Sequence, residues 1–127
     1  MPLASGVDLV EIQRLQDAID RHGERFLNRI FTPQELEEVG QNSASLAARF
    51  AAKEAVAKAL GTGIGPVNWH EIEVRRGPAR QPLLYLHGAA EQLARQLCLV
   101  EWSLSLSHTV THAIAMVVAS GSQDKQG

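Results

Sequence analysis

The sequence predicts an α+β domain, a mainly antiparallel sheet packed on a long central helix, from three observations. A β-prone run after Gly6, residues 7–12, opens the chain. Residues 49–61 are nearly all strong helix formers, closed by Gly61 where a left-handed cap is wanted. The last third carries two β runs, residues 100–107 and 113–118, joined as a hairpin. With 127 residues and no internal repeat, one domain is expected over residues 1–119, with a disordered tail over 120–127.

In the opening run Asp8 sits among apolar neighbours, Val7, Leu9 and Val10. It is either a strand-end aspartate held by backbone N–H groups or a metal ligand. From Glu11 to His22 the spacing turns helical, with Leu15 and Ile19 on a core face that Phe26 and Ile30 continue beyond Gly23. Arg14, Arg21, Arg25 and Arg29 are spaced by seven, four and four, so they form one basic stripe if helical phase survives Gly23. Such a stripe is an ordinary solvated face paired with Asp17 and Glu24, or a docking surface for an acidic partner. Thr32-Pro33-Gln34-Glu35 is a helix start, with threonine as N-cap, proline at the first helical position and Glu35 closing a capping box. Asn42 or Ser43 caps the central helix.

Along that helix, at about 100° per residue, Leu46, Phe50, Ala57 and Leu60 form a bulky stripe, and Ala48, Ala51, Ala52, Ala55 and Ala59 cover the opposite side. The charges are out of place. Lys53 projects into the bulky stripe, Arg49 lies beside it, and Glu54 and Lys58 flank it as an i,i+4 pair. A cation in a stripe meant for burial needs an anion or a cleft to receive it. Either the cationic stems snorkel to water, or the helix is a phosphate and metal platform with Glu54 as a hard oxygen ligand and Arg49, Lys53 and Lys58 as phosphate contacts.

Gly61-Thr62-Gly63-Ile64-Gly65-Pro66 follows as a glycine-spaced loop whose backbone N–H groups can approach a ligand closely. Residues 69–75 alternate as a half-buried strand, 83–86 read as another after a turn, and 88–97 as a helix. In the final hairpin, serines alternate with Trp102, Leu104 and Leu106, leaving one wet face. Its tip carries His108, which is polar surface or a phosphate donor.

A net charge of −2 and a pI near 6.2 argue against a general nucleic-acid binder. The single cysteine, Cys98, excludes an internal disulfide and a cysteine-built zinc site and suits a reducing cytoplasm. The first residues lack the basic and apolar segments of a signal peptide, and no apolar run approaches a membrane span. A cytoplasmic protein without membrane partners is expected.

Three motifs now stand in one order: Gly6-Val7-Asp8-Leu9-Val10-Glu11-Ile12, then Arg49-Phe50-Ala51-Ala52-Lys53-Glu54-Ala55 running to Lys58-Ala59-Leu60-Gly61-Thr62-Gly63, then Leu106-Ser107-His108-Thr109. Together they resemble the holo-acyl-carrier-protein synthase family, the small bacterial phosphopantetheinyl transferases. The resemblance spans roughly residues 5–119 and includes Phe31-Thr32-Pro33-Gln34-Glu35-Leu36. It implies the phosphopantetheinyl-transferase fold and transfer of the phosphopantetheine arm of coenzyme A to a serine of apo acyl carrier protein, releasing adenosine 3′,5′-bisphosphate. By that resemblance Asp8 and Glu54 hold Mg²⁺, and Lys58 contacts the pyrophosphate or removes the serine proton. A water at the metal, oriented by Glu35, is the competing base. Arg49, Lys53 and His108 resemble contacts to the nucleotide phosphates, with Gly61, Thr62, Gly63 and Gly65 beside the coenzyme A cleft. Arg14, Arg21 and Arg25 fall in the helix that docks the carrier, and a homotrimer with interface active sites is implied. Two departures stand out: Arg80-Gln81-Pro82 where the family has Gly-Lys-Pro, and His112 where an aromatic is usual. A non-catalytic coenzyme A or carrier-binding module and a metal-dependent phosphohydrolase are the competing classes.

Overall fold

Residues 2–121 are described by the computed structural model. In chain order the elements are β1 (Leu3–Glu11), α1 (Ile12–His22), α2 (Glu24–Ile30), α3 (Pro33–Val39), α4 (Ser43–Ala59), β2 (Ile72–Arg76), β3 (Pro82–Leu86), α5 (Gly88–Gln96), β4 (Glu101–His108) and β5 (His112–Ser120). The expected α+β architecture is found. One antiparallel sheet has the order β1-β5-β4, and β2 and β3 form a separate antiparallel hairpin.

Register fixes which side chains face the long helix. Asp8 pairs with Ala115, which pairs with Leu106, and Val10 pairs with Ala113, which pairs with His108. Because side chains alternate along a strand, Gly6, Asp8 and Val10 share one face with Ala113, Ala115, Val117, Leu106 and His108. That face is nearly all small or apolar, and α4 lies on it. The alanine side of α4 is buried there: Ala51, Ala52 and Ala55 have no exposed surface, and neither do Ala113 and Ala115 on the sheet. Gly6 completes the fit. A β-carbon at Gly6 would collide with the Ala55 carbonyl oxygen and approach the Ala59 nitrogen to 3.2 Å, so only glycine lets β1 lie this close to the helix.

The bulky side of α4 is buried too, under α1, α3 and β2, so Phe50, Glu54 and Lys58 form its open edge. Asn42 provides the N-cap, its Oδ1 accepting from the Ser45 N–H at 2.8 Å. Gly61 takes the left-handed conformation expected of it, with φ +84°.

Some boundaries differ. Residues 69–71 form a 3-10 turn rather than a strand start, since the Asn68 N–H donates to Glu71 at 2.9 Å and closes a local turn. The opening strand begins at Leu3. Ser120, expected in the tail, is the last residue of β5, paired with both Leu3 and Glu101; residues 122–127 lie outside the described residues.

Candidate active site

The close approach at Gly6 carries Asp8, two residues on along the same face, to the open edge of α4. There Lys58 Nζ lies 3.0 Å from Asp8 Oδ1 and also donates to the Val7 carbonyl at 3.0 Å. Glu54 is one helical turn before Lys58. Burial raises the Glu54 carboxyl above the ordinary glutamate value, the charge of Asp8 raises it further, and Lys58 offsets part of the rise. Asp8, Glu54 and Glu11 line one cleft of about 450 Å³ with Arg14, opposite the apolar walls of Phe26 and Phe50. The two carboxylates expected to act together are therefore neighbours in one cleft.

Among the described residues, no group of three or more histidines, cysteines, aspartates or glutamates is gathered as a metal cage. Two hard carboxylates in an open cleft are instead the donor set that suits Mg²⁺, which keeps several waters and binds through one or two carboxylates plus substrate phosphates. Asp8 and Glu54 fit that ion.

The expectation that Lys53 contacts a phosphate does not hold. Its side chain has no exposed surface, and Nζ is enclosed by Glu35 Oε1 at 2.8 Å, the Trp69 carbonyl at 2.9 Å and the Ile72 carbonyl at 2.7 Å. The anion needed to receive this misplaced cation is Glu35, eighteen residues upstream. Burial pulls the Lys53 ammonium below the ordinary lysine value, and Glu35 holds back part of the fall. Glu35 is equally spent: Oε1 also accepts from the Thr32 N–H at 2.9 Å and Oε2 from the Val74 N–H at 2.7 Å. A carboxylate with no exposed surface and these partners orients no water in the cleft, so Glu35 drops out as a participant in proton removal.

Arg49 is also an internal brace. It donates to the Val74 carbonyl at 2.7 Å and to Glu38 at 2.9 Å, and only its edge joins Arg76, Arg80 and Pro82 around a cleft of about 140 Å³. Arg80 adopts φ +66°, a conformation unfavourable for a side-chain-bearing residue by about 1–2 kcal/mol. The glycine loop closes the helix rather than offering a cradle. Gly61 N–H donates to the Lys58 carbonyl, Thr62 and Gly63 both to the Ala57 carbonyl, and Gly65 to Val67, at 2.9–3.2 Å. His108 is exposed at the end of β4, its Nδ1 3.2 Å from the Thr109 carbonyl oxygen.

The basic stripe divides. Gly23 turns the chain at φ +63° between α1 and α2, yet Arg21, Arg25 and Arg29 on its two sides line one cleft of about 380 Å³ with Phe26, while Arg14, seven residues before Arg21 on α1, lines the carboxylate cleft. Phe26 belongs to both walls, so the two clefts adjoin.

Sequence reasoning missed the parts played by Gly6, Glu38 and Phe50. Gly6 carried a signal, a glycine inside a strand, which marks close backbone approach. Glu38 carried none, because its partners Arg49 and the Arg76 N–H are brought to it only by tertiary packing.

Residues 4–116 match the 4′-phosphopantetheinyl transferase superfamily. The chain is 48% identical over 126 residues to the holo-acyl-carrier-protein synthase of Herpetosiphon aurantiacus, covering 94% of this chain and 99% of that protein. It is 50% identical over 119 residues to that of Dehalococcoides mccartyi, covering 92% and 98%. The crystal structure of Helicobacter pylori holo-acyl-carrier-protein synthase in complex with coenzyme A superposes with a TM-score of 0.84 at 34% identity, covering 91% of this chain and 99% of that one. The Neisseria meningitidis enzyme does so with a TM-score of 0.84 at 36% identity, covering 92% and 97%. Shared sequence over nearly the whole length and a shared fold establish that the chain belongs to the 4′-phosphopantetheinyl transferase superfamily, within its holo-acyl-carrier-protein synthase family.

Proposed function

We propose that this chain transfers the 4′-phosphopantetheine arm of coenzyme A to a serine hydroxyl of apo acyl carrier protein and releases adenosine 3′,5′-bisphosphate. The observation that carries the proposal is the meeting of Asp8, Glu54 and Lys58 at one cleft in a chain whose relatives are named for this reaction.

Asp8 and Glu54 would hold Mg²⁺, which would supply charge neutralisation on the pyrophosphate of coenzyme A as the phosphorus is attacked. Lys58, half-exposed and paired with Asp8, is a cation placed to contact the same pyrophosphate. Its Nζ donates to Asp8 Oδ1 and the Val7 carbonyl at the mouth of the cleft. The serine oxygen bonds to the pantetheine-bearing phosphorus, the bond from that phosphorus to the bridging oxygen breaks, and the serine proton passes to water in the open cleft.

The nucleotide end of coenzyme A is assigned to the arginine-lined cleft of Arg49, Arg76 and Arg80, with His108 as a further phosphate contact and the surface of the Gly61–Gly65 loop beside the arm. Arg76 and Arg80 enter here from the structure. The carrier docks over the adjoining clefts, where Arg21, Arg25 and Arg14 lead from its acidic surface toward the carboxylates, and Phe26 and Phe50 supply apolar contact.

The outer face of the β1-β5-β4 sheet supports assembly. Leu3, Val7, Leu9, Ile114 and Met116 are 74%, 52%, 62%, 39% and 50% exposed on neighbouring strands. An apolar sheet face of this kind marks an interaction surface, and we assign it to the contact between subunits of a homotrimer. No helix among the described residues is long and apolar enough to cross a membrane; cytoplasmic residence is the reading that the lone cysteine supports.

Intact mass of a purified apo acyl carrier protein, after incubation with this protein, coenzyme A and Mg²⁺, tests the proposal. The expected result is a gain of one phosphopantetheine that EDTA prevents. Coenzyme A bound but left intact would favour a binding module, and coenzyme A cleaved without a modified carrier would favour a phosphohydrolase.

A further inference from the structure

We infer that the buried pair Lys53–Glu35 is a positioning device that fixes the rotation of α4 and so aims Glu54 at Asp8. The inference rests on the transferase reading above and adds residues that the reading leaves without a role in the chemistry.

The need for such a device follows from how α4 packs. Its sheet-facing side is Ala51, Ala52, Ala55 and Ala59, against Gly6, Ala113, Ala115, Val117 and Ala119, of which only Val117 is larger than alanine. Small side chains make shallow ridges and grooves, so this interface brings backbones together while resisting rotation and sliding poorly. Yet the position of Glu54 depends on rotation, because one residue of helix turns a side chain by about 100°.

Lys53 supplies the missing constraint. All three protons of its ammonium have an acceptor: Glu35 on the first turn of α3, and the Trp69 and Ile72 carbonyls at the two ends of the turn that leads into β2. Each acceptor is itself fixed. Glu35 is held by Thr32 and Val74 N–H groups, and the Thr32 hydroxyl donates to Glu73 Oε2 at 2.8 Å. Glu73 Oε1 in turn receives Arg75 at 3.1 Å and His87 at 3.0 Å. The residue before the metal carboxylate is thus tied to α3 and β2 through directional bonds, on the side of the helix where alanine packing exerts no control. Buried ionic groups add little net stability over apolar packing, and fixing register is their best-attested use.

The test titrates Mg²⁺ calorimetrically, with coenzyme A present and no carrier, into wild type, Lys53→Met and Glu35→Asp. Circular dichroism and thermal melts establish that each variant is folded. A folded Lys53→Met is expected to bind Mg²⁺ at least tenfold more weakly, within the range found when groups behind metal ligands are removed. Glu35→Asp keeps the charge and withdraws the acceptor by one methylene; it is expected to weaken Mg²⁺ in the same direction, and it decides the matter if Lys53→Met does not fold. In turnover assays the KM for the carrier should stay within about twofold of wild type, because Arg14, Arg21 and Arg25 lie on other elements. Wild-type Mg²⁺ affinity in either folded variant would overturn the inference. Failure of wild type itself to bind Mg²⁺ or modify a carrier would sink the functional reading instead.

Discussion

Gly6 and Ala55 touch backbone to backbone, and this contact sets the distance between the two carboxylates of the site. Asp8 follows Gly6 by two residues on the same face of β1, and Glu54 precedes Ala55 on α4. The site is therefore a product of how closely one strand lies on one helix. Gly6→Ala should push β1 off α4, lower stability by about 1–3 kcal/mol as overpacking does, and weaken Mg²⁺ binding together with it. Melting and metal titration on the same preparation check this; a variant with both unchanged would show that the contact does not govern the site.

Glu54 should titrate above the ordinary glutamate value of about 4.3, because burial and then the Asp8 charge disfavour its ionised form. A carboxyl whose folded pKa is raised adds stability below its unfolded pKa, and that stability is lost as pH rises through the raised value. Two results follow for metal-free protein. The Glu54 carboxyl signal in NMR should move at a higher pH than a free glutamate and shift back down in Asp8→Asn. Glu54→Gln should melt higher than wild type at neutral pH, with the gain shrinking in acid. An unshifted Glu54 would remove the electrostatic coupling between the two carboxylates.

Reversal of Arg14 or Arg21 to glutamate should raise the KM for the carrier by roughly two- to fivefold, the scale of one exposed charge contact, with the KM for coenzyme A little changed. Added salt should weaken carrier binding by wild type and flatten the difference. Equal effects on both substrates would contradict a docking surface at these clefts.

Leu9→Lys or Met116→Lys places a charge on the exposed apolar sheet face and should convert an assembled protein to monomers in light scattering without loss of fold. A wild-type protein that is monomeric at micromolar concentration would contradict the assignment of that face to subunit contact.

Much of this architecture was legible in the sequence, and the limits are instructive. The capping box at Thr32–Glu35 was found as read, since capping is a local property. The left-handed turn at Gly61 was found for the same reason. Asp8 and Glu54 were recognisable through motif and meet at one cleft as expected. What failed was everything decided by a distant partner. Lys53 was seen to need an anion, but nothing in the spacing named Glu35, so the phosphate reading filled the gap. Arg49 likewise has a partner the spacing did not name, Glu38, and only its edge reaches the arginine-lined cleft. The loop after α4 has the composition of a phosphate cradle, but its N–H groups are drawn to the helix end, an outcome set by backbone angles rather than residue type. The basic stripe holds across Gly23, where Arg21, Arg25 and Arg29 share one cleft, and parts only at Arg14, which the packing of Phe26 leaves at the adjoining one.

The most direct test of the account compares wild type with Asp8→Asn and Glu54→Gln, following the mass of apo acyl carrier protein over time at saturating Mg²⁺. Wild type should convert the carrier to its phosphopantetheinylated form, while each folded variant should be slower by about 10²-fold or more, the scale of losing a group that stabilises transition-state charge. Conversion at the wild-type rate by either variant would contradict the claim that these two carboxylates carry the reaction.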